Sequence, residues 1–278
     1  MEHALFHSML RSFGTSGPGI ALRPYIRART AVGLQLYASR FCPVPSSPNR
    51  LIAKLLVPGA VCIDVGASAG EMTMLASARV GGKGEVHSFE PLDGPFRLLH
   101  AAVRLGGLSN VRLNQSLLAE QPGILTIYQH PASAESSVSK AWRTNAELVA
   151  IERPATSLDA YWTSVGSGRA VDLIKIDVEG FELPVLRGAA SVLRSYHPQL
   201  ILEIADGERR VAAFGYSLDD LMRFLGELGY GFAVPRGFRV DRVATSADLR
   251  KSDTDMLCVH PGGALGTRAA AITNASLA

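Results

Sequence analysis

Cysteine is scarce in this 278-residue chain: Cys42, Cys62 and Cys258 are odd in number and far apart. They give neither a disulfide framework nor a metal-ligand spacing, which sets the expectation of a reducing, cytoplasmic setting. Lysine is rare beside arginine, 5 against 23, and charged residues together reach only 19%. No apolar run approaches the roughly 20 residues of a membrane-spanning helix, and no clean apolar stretch follows a basic start, so no secretory leader is expected. A formal net charge of +3 is too small to imply nucleic acid by itself. What the chain does have is apolar material, 47% of residues with a mean hydropathy of +0.15. That suffices for a sizeable core and excludes a disordered or fibrous chain. On a prior of roughly 150 residues per domain, the length fits one large domain or two small ones.

Charge is unevenly placed. Residues 1–50 hold six Arg and one Glu, a balance of +5, so the remainder carries −2. Arg-rich, Ser-containing and acid-poor, this stretch is superficially like an organelle transit peptide. The plainer expectation is a basic surface helical extension, with Leu22, Tyr25, Ile26 and Leu34 set among Arg23, Arg27, Arg29 and Arg40, closed by a Pro/Ser linker at 43–48. It is expected to be dispensable for cofactor binding, and it is a candidate wall of an acceptor pocket or contact of a homodimer.

From there strands and helices alternate. Ala60–Val65 is a short buried-strand run, Glu71–Val80 reads as a helix, and Gly84–Phe89 as a second strand. A helix from Asp93 to Gly106–Gly107 and a third strand from Asn110 to Leu117 follow, then more alternating stretches at 124–128 and 148–151. The second half gives a strand at 171–177, a helix at 181–195, a strand at 199–204, a helix from Ser217 to about Leu228, and strands at 231–234 and 256–259. This alternation predicts a doubly wound, mostly parallel α/β sheet spanning residues 51–262, with residues 263–278 as a flexible tail. In such sheets chemistry sits at the carboxyl ends of strands, where strand order reverses.

Three segments carry chemistry. Asp64-Val65-Gly66-Ala67-Ser68-Ala69-Gly70 closes the first strand and opens a helix. Gly66 allows a tight turn and Gly70 close helix packing. The glycine spacing is not the dinucleotide fingerprint, and an acid at the loop mouth repels a pyrophosphate but suits a ligand with an ammonium group. S-adenosylmethionine is thereby favoured over a nicotinamide cofactor. Glu90, in Ser88-Phe89-Glu90-Pro91, stands at the end of the second strand, where an acid can accept from both ribose hydroxyls; the ordinary alternative is an acid favouring a helix start. The third segment, Val171 to Glu182, alternates so that Lys175, Asp177 and Glu179 share one side of the strand while it persists. Charged residues near the end of a central parallel strand are costly unless paired. A structural Lys–Asp pair is the competing reading, but the charge density there favours a site.

On these motifs the sequence resembles the FkbM-type methyltransferases, a branch of the class I S-adenosylmethionine-dependent enzymes. Asp64, Val65, Gly66, Ala67, Gly70 and Thr73 match the family's first motif, with Ser68 where the family usually has Asn. Phe89-Glu90-Pro91, Ser157-Leu158-Asp159, the Asp172–Glu182 signature, Leu186, Gly188 and Glu203 continue the match, over about residues 58–260. The resemblance implies a seven-stranded sheet, S-adenosyl-L-methionine as cofactor, and methyl transfer most often to an oxygen of a sugar, glycan or natural product. It further implies that Asp64, Gly66 and Gly70, with Ala67 and Thr73 in the same motif, frame the methionine half of the cofactor while Glu90 holds the ribose. Asp177 as base or acceptor anchor, Glu179 as its alternate and Lys175 in support rest on the strand-end argument instead.

Weaker candidates are His130 as a base beside a serine-rich loop and Ser136 and Ser137 as pocket lining. His87 and His197 read as structural, and Trp142 and Trp162 as core. Glu203 could join Asp177 on a divalent cation, but two carboxylates without a third ligand are too few, so no metal is expected. Competing functions are a scaffold that keeps the fold without turnover, a nitrogen or nucleic-acid methyltransferase, and a nicotinamide oxidoreductase. The net negative body and the lack of an Asp/Asn-Pro-Pro-Tyr motif weigh against nucleic acid.

Overall fold

The computed structural model describes residues 48–129, 136–139, 148–165, 168–204, 211–236 and 239–274. The N-terminal extension to residue 47, Cys42, His130 and Trp142 lie outside them. The first half runs α1 (Pro48–Leu55), β1 (Val61–Val65), α2 (Glu71–Val80), β2 (Glu85–Phe89), α3 (Asp93–Gly106), β3 (Val111–Asn114), β4 (Leu117–Leu118), β5 (Gly123–Gln129), β6 (Ser136–Ser137) and β7 (Val149–Thr156). The second runs α4 (Leu158–Val165), β8 (Leu173–Ile176), α5 (Glu182–Arg187), α6 (Ala190–Tyr196), β9 (Gln199–Glu203), α7 (Leu218–Glu227), β10 (Gly231–Arg236), β11 (Arg239–Val243), β12 (Asp255–Val259) and α8 (Gly266–Asn274).

The central sheet has the order β11-β10-β12-β9-β8-β1-β2-β3. β3, β2, β1, β8 and β9 are parallel, while β12 and β11 run against their neighbours. The doubly wound, mostly parallel α/β class is therefore as expected, with an eighth strand, β11, added at one edge. Residues of the inner strands β1, β2, β8, β9 and β12 are buried on both faces, and period two sorts them into two cores. Ile63, Ile174 and Leu202 pack with Leu158 of α4, Leu186 of α5 and Leu225 of α7. Cys62, Leu173 and Ile201 pack with Leu51 of α1, Leu75 of α2 and Ala269 of α8. Burying Leu, Ile and Val side chains this completely stabilises by about 1.5–3 kcal/mol each before chain entropy is counted.

Four differences from the sequence reading have local causes. Residues 123–129 and 149–156 pair antiparallel along their whole length, and with β4 and β6 they build a second, four-stranded sheet. The third strand stops at Asn114, because Leu117–Leu118 leaves to pair with β7. The helix expected over 181–195 is broken at Gly188, which lies so close to the Ala119 carbonyl that a Cβ there would stand 2.0 Å from its oxygen. The tail expected to be flexible forms α8 across 266–274; Leu265, Ala269 and Ile272 are buried, and the Arg268 guanidinium donates to the Lys54 carbonyl of α1.

The chain winds outward through β1, β2 and β3, then crosses back so that β8 lies on the other side of β1. Strand order thus reverses between β1 and β8, and the crevice for a ligand opens at their carboxyl ends.

Candidate functional site

Asp64 is the last residue but one of β1 and is 1% exposed. Its Oδ2 accepts from Thr73 Oγ1 of α2 at 2.6 Å, and Thr73 is 2.8 Å from Ser88 Oγ of β2. Oδ1 has no hydrogen-bond partner among the described residues. Burial pushes the Asp64 carboxyl up, opposed by the nearby Lys175 ammonium and by Thr73. Thr73 is buried and holds the Asp64 carboxylate through its hydroxyl.

The loop after β1 is fixed by β2. The N–H groups of Gly66 and Ala67 both donate to the Phe89 carbonyl at 3.0 Å. Gly66 has φ +78°, and a Cβ there would stand 1.9 Å from the Asp177 carbonyl oxygen, so only glycine lets this loop close against the end of β8. Ser68 also lies in the left-handed region, at φ +48°, where Asn is favoured over most residues. Its departure from the Asn of the motif therefore keeps the turn at some cost. The Ser68 N–H donates to Glu90 Oε2, and the Leu92 N–H to Oε1, both at 2.9 Å. Burial pushes the Glu90 carboxyl up to about 7 against the pull of these two donors.

Beside them Lys175 of β8 stands in register with Asp64 of β1. Its Nζ donates to Asp177 Oδ2 at 2.7 Å; the Lys175 side chain is 6% exposed and that of Asp177 37%. Burial alone would lower the ammonium, but the carboxylates of Asp177, Asp64 and Glu203 outweigh it and hold Lys175 above its ordinary value. Asp177 is tied to β1 through its own N–H, which donates to the Val65 carbonyl at 3.1 Å.

The expected grouping of Lys175, Asp177 and Glu179 holds only in part for the expected reason. β8 stops at Ile176, and Glu179 takes φ +58°, so strand alternation does not reach it. The turn instead brings Glu179 beside Asp177 and Glu203, with one carboxylate oxygen of each within 4.8 Å of the others. The third carboxylate thought missing from a cation site is therefore Glu179. A lysine already lies against this group. Asp255, opposite Glu203 in register, adds a further buried acid.

The remaining candidates fall elsewhere. His87 is buried, 2.8 Å from Tyr161 Oη and 3.1 Å from Glu85 Oε2. His197 caps α6 in a left-handed turn, and Trp162 is core with its Nε1 donating to the Arg169 carbonyl. Ser137 is buried and accepts from the Ser139 N–H. Sequence reasoning missed Tyr216, whose hydroxyl donates to the Gly180 carbonyl at 2.6 Å, and gave Glu182 no role in the site. No spacing in the sequence marks Tyr216.

The chain matches the model of the methyltransferase FkbM domain over residues 64–232, more than half its length. It belongs to the FkbM methyltransferase family. The solved structures similar to this FkbM chain include an FkbM methyltransferase from Methylobacillus flagellatus, at 16% identity and TM-score 0.48, covering 86% of this chain and 58% of that one. A putative O-methyltransferase from Klebsiella pneumoniae gives 14% identity and TM-score 0.46, covering 92% and 95%. Aeropyrum pernix fibrillarin, solved with natively bound S-adenosyl-L-methionine, gives 13% and 0.41, covering 73% and 67%. The FkbM chain thus spans less than two thirds of the Methylobacillus protein. A comparison with curated proteins finds no match. The family assignment rests on the sequence match.

S-adenosylmethionine is the cofactor of the FkbM family, and the residues present fit it. Asp64 Oδ1 is a buried acceptor without a donor, suited to an ammonium group. Glu90 offers a carboxylate at the end of β2 for ribose hydroxyls. No helix among the described residues is long and apolar enough to cross a membrane.

Proposed function

We propose that this chain is an S-adenosylmethionine-dependent O-methyltransferase acting on a hydroxyl of a sugar, glycan or natural-product acceptor. The observation that carries the reading is the Lys175–Asp177 pair at the end of β8, 2.7 Å apart and packed against the Gly66 loop. The bound cofactor supplies a methyl group on a sulfonium, open to in-line displacement. What falls to the protein is to hold the acceptor oxygen in line and to take its proton late.

Asp64 and Glu90 bind the two polar ends of the cofactor and so fix its position along the carboxyl ends of β1 and β2. Asp177 accepts the hydroxyl proton. Lys175 holds Asp177 Oδ2, which sets the rotation of the carboxylate, and Glu179 is the alternate acceptor beside it. With 37% of the Asp177 side chain exposed and an ammonium in contact, the case for this residue rests on position and orientation. The reading uses no metal, since Lys175 supplies the cationic centre among the carboxylates.

Asp177→Asn is expected to lower turnover by ~10²-fold or more while leaving affinity for S-adenosylhomocysteine nearly intact. Mass spectrometry of metabolites with and without the protein, searched for a difference of one methyl group, identifies the acceptor for that assay. Normal turnover by the variant, or parallel loss of turnover and cofactor affinity, would remove Asp177 from the chemistry.

A further inference from the structure

The turn that carries Asp177 and Glu179 is held partly from within, by the Phe181 N–H on the Val178 carbonyl at 3.3 Å and the Val178 N–H on Glu182 Oε1 at 3.4 Å, and partly from a distant segment. Glu179 and Gly180 are both left-handed, at φ +58° and +98°, a conformation that a non-glycine residue keeps only when its surroundings over-determine it. The long-range contact comes from the segment just before α7. Tyr216 Oη donates to the Gly180 carbonyl at 2.6 Å, accepts from the Leu183 N–H at 3.3 Å, and lies 3.3 Å from Glu182 Oε2. Glu182, 3% exposed, accepts from the Gly180 N–H at 3.1 Å through its other oxygen. Carbonyl and N–H of the same residue are thus both gripped.

Tyr216 is itself anchored from behind. Ser217 begins α7 with a reciprocal capping box, its N–H donating to Asp220 Oδ2 at 2.9 Å while Asp220 N–H donates back to Ser217 Oγ at 3.2 Å. On the other side Phe214 packs on Phe181 at 5.3 Å between ring centroids, and Ser139 Oγ donates to the Ala213 carbonyl at 3.2 Å. A segment touching both the turn and the Ser137–Ser139 stretch is placed to fix one against the other.

We propose that Tyr216 is a positioning residue of the transfer reaction, acting through Gly180 and Glu182 to set where the Asp177 carboxylate stands. This rests on the reading of Asp177 as the proton acceptor. A phenol is suited to the task because one hydroxyl both donates and accepts at the end of a rigid ring.

Two nucleosides test this without knowledge of the acceptor. One is S-adenosylhomocysteine. The other is sinefungin, its analogue with an amine-bearing carbon in place of the sulfur, which puts a cation where the methyl group would stand. Calorimetry on the full chain compares their affinities. Asp177→Asn should abolish a preference for the amine analogue. Tyr216→Phe should cut that preference by about fivefold, the loss for one displaced charge-assisted hydrogen bond, with S-adenosylhomocysteine affinity unchanged within about twofold. If Tyr216→Phe leaves both affinities alone while Asp177→Asn removes the preference, the positioning role is wrong and the Asp177 reading stands. Parallel loss of both affinities in Tyr216→Phe would make Tyr216 merely structural. An unchanged preference in Asp177→Asn would overturn both readings.

Discussion

Glu85 and Glu90 bracket the same strand, β2, and are treated in opposite ways. At the amino end, Glu85 meets the His87 ring at 3.1 Å and the Arg169 guanidinium at 3.2 Å, and Arg169 also donates to the Lys83 and Gly59 carbonyls. Burial would raise Glu85, but His87 and Arg169 outweigh it and hold the carboxyl below its ordinary value. At the carboxyl end, Glu90 is given only two backbone N–H donors, and burial carries it up to about 7. The neighbouring strand repeats the contrast. Asp172, just before β8, accepts from the Val61 N–H at 2.7 Å, whereas Asp64, near the carboxyl end of β1, has one oxygen lacking a donor. Polar groups at one end of the sheet are closed off by the protein itself; those at the other end keep acceptor capacity in hand. That asymmetry locates the site independently of any motif.

Substitution can break the contrast at its strongest point. Lys175→Met removes the ammonium that Asp64, Asp177 and Glu203 share, and should cost about 3 kcal/mol of stability, as expected for breaking a buried ion pair, measured by urea denaturation. Because the Lys175 ammonium is held above its ordinary value of 10.5, its contribution is present throughout neutral pH. It is lost only as pH rises beyond about 10.5.

Glu90→Ala should weaken S-adenosylhomocysteine binding by ~1–3 kcal/mol. The same residue gives a pH signature. In the free protein Glu90 is largely protonated below about 7, whereas ribose hydroxyls need a carboxylate to accept them, so binding expels the proton. Affinity should therefore rise by roughly 25-fold from pH 5.5 to 7.5 and then level off, and Glu90→Gln should flatten the profile in calorimetry.

The opposite end should behave as scaffold only. Glu85→Gln is expected to cost about 1 kcal/mol, with cofactor affinity unchanged. Since the Glu85 carboxyl is held low, that stability is present at neutral pH and is lost as pH falls through its folded value, below about 4.5. A change in cofactor affinity in this variant would dissolve the distinction between the two ends. The smallest effect is a gain: Ser68→Asn, at φ +48°, should add about half a kcal/mol, seen as a higher melting temperature.

The sheet was legible in the sequence because its strands are short apolar runs separated by helical spacings, and Asp64, Glu90 and Asp177 stood out as acids at strand ends. The Lys175–Asp177 contact followed from period two along one strand. Glu179 was expected for a reason that fails, since the strand ends before it and a left-handed turn sets its place. Tyr216 was invisible because its contact with Gly180 crosses 36 residues and leaves no periodic trace. The Gly, Ala and Ser of the segment from Gly262 onward suggest a frayed tail, yet it holds α8. Small side chains there mean close packing against α1, which composition does not distinguish from weakness.

The position of β12 has a consequence for how the molecule is made. It is the last strand among the described residues, yet it lies between β9 and β10. A ribosome therefore releases β10 and β11 as a hairpin before the strand that joins them to the sheet exists. Until residues 255–259 emerge, β9 presents an open edge, a ready template for a strand from another nascent chain. Removing those five residues would unfasten three strands rather than one.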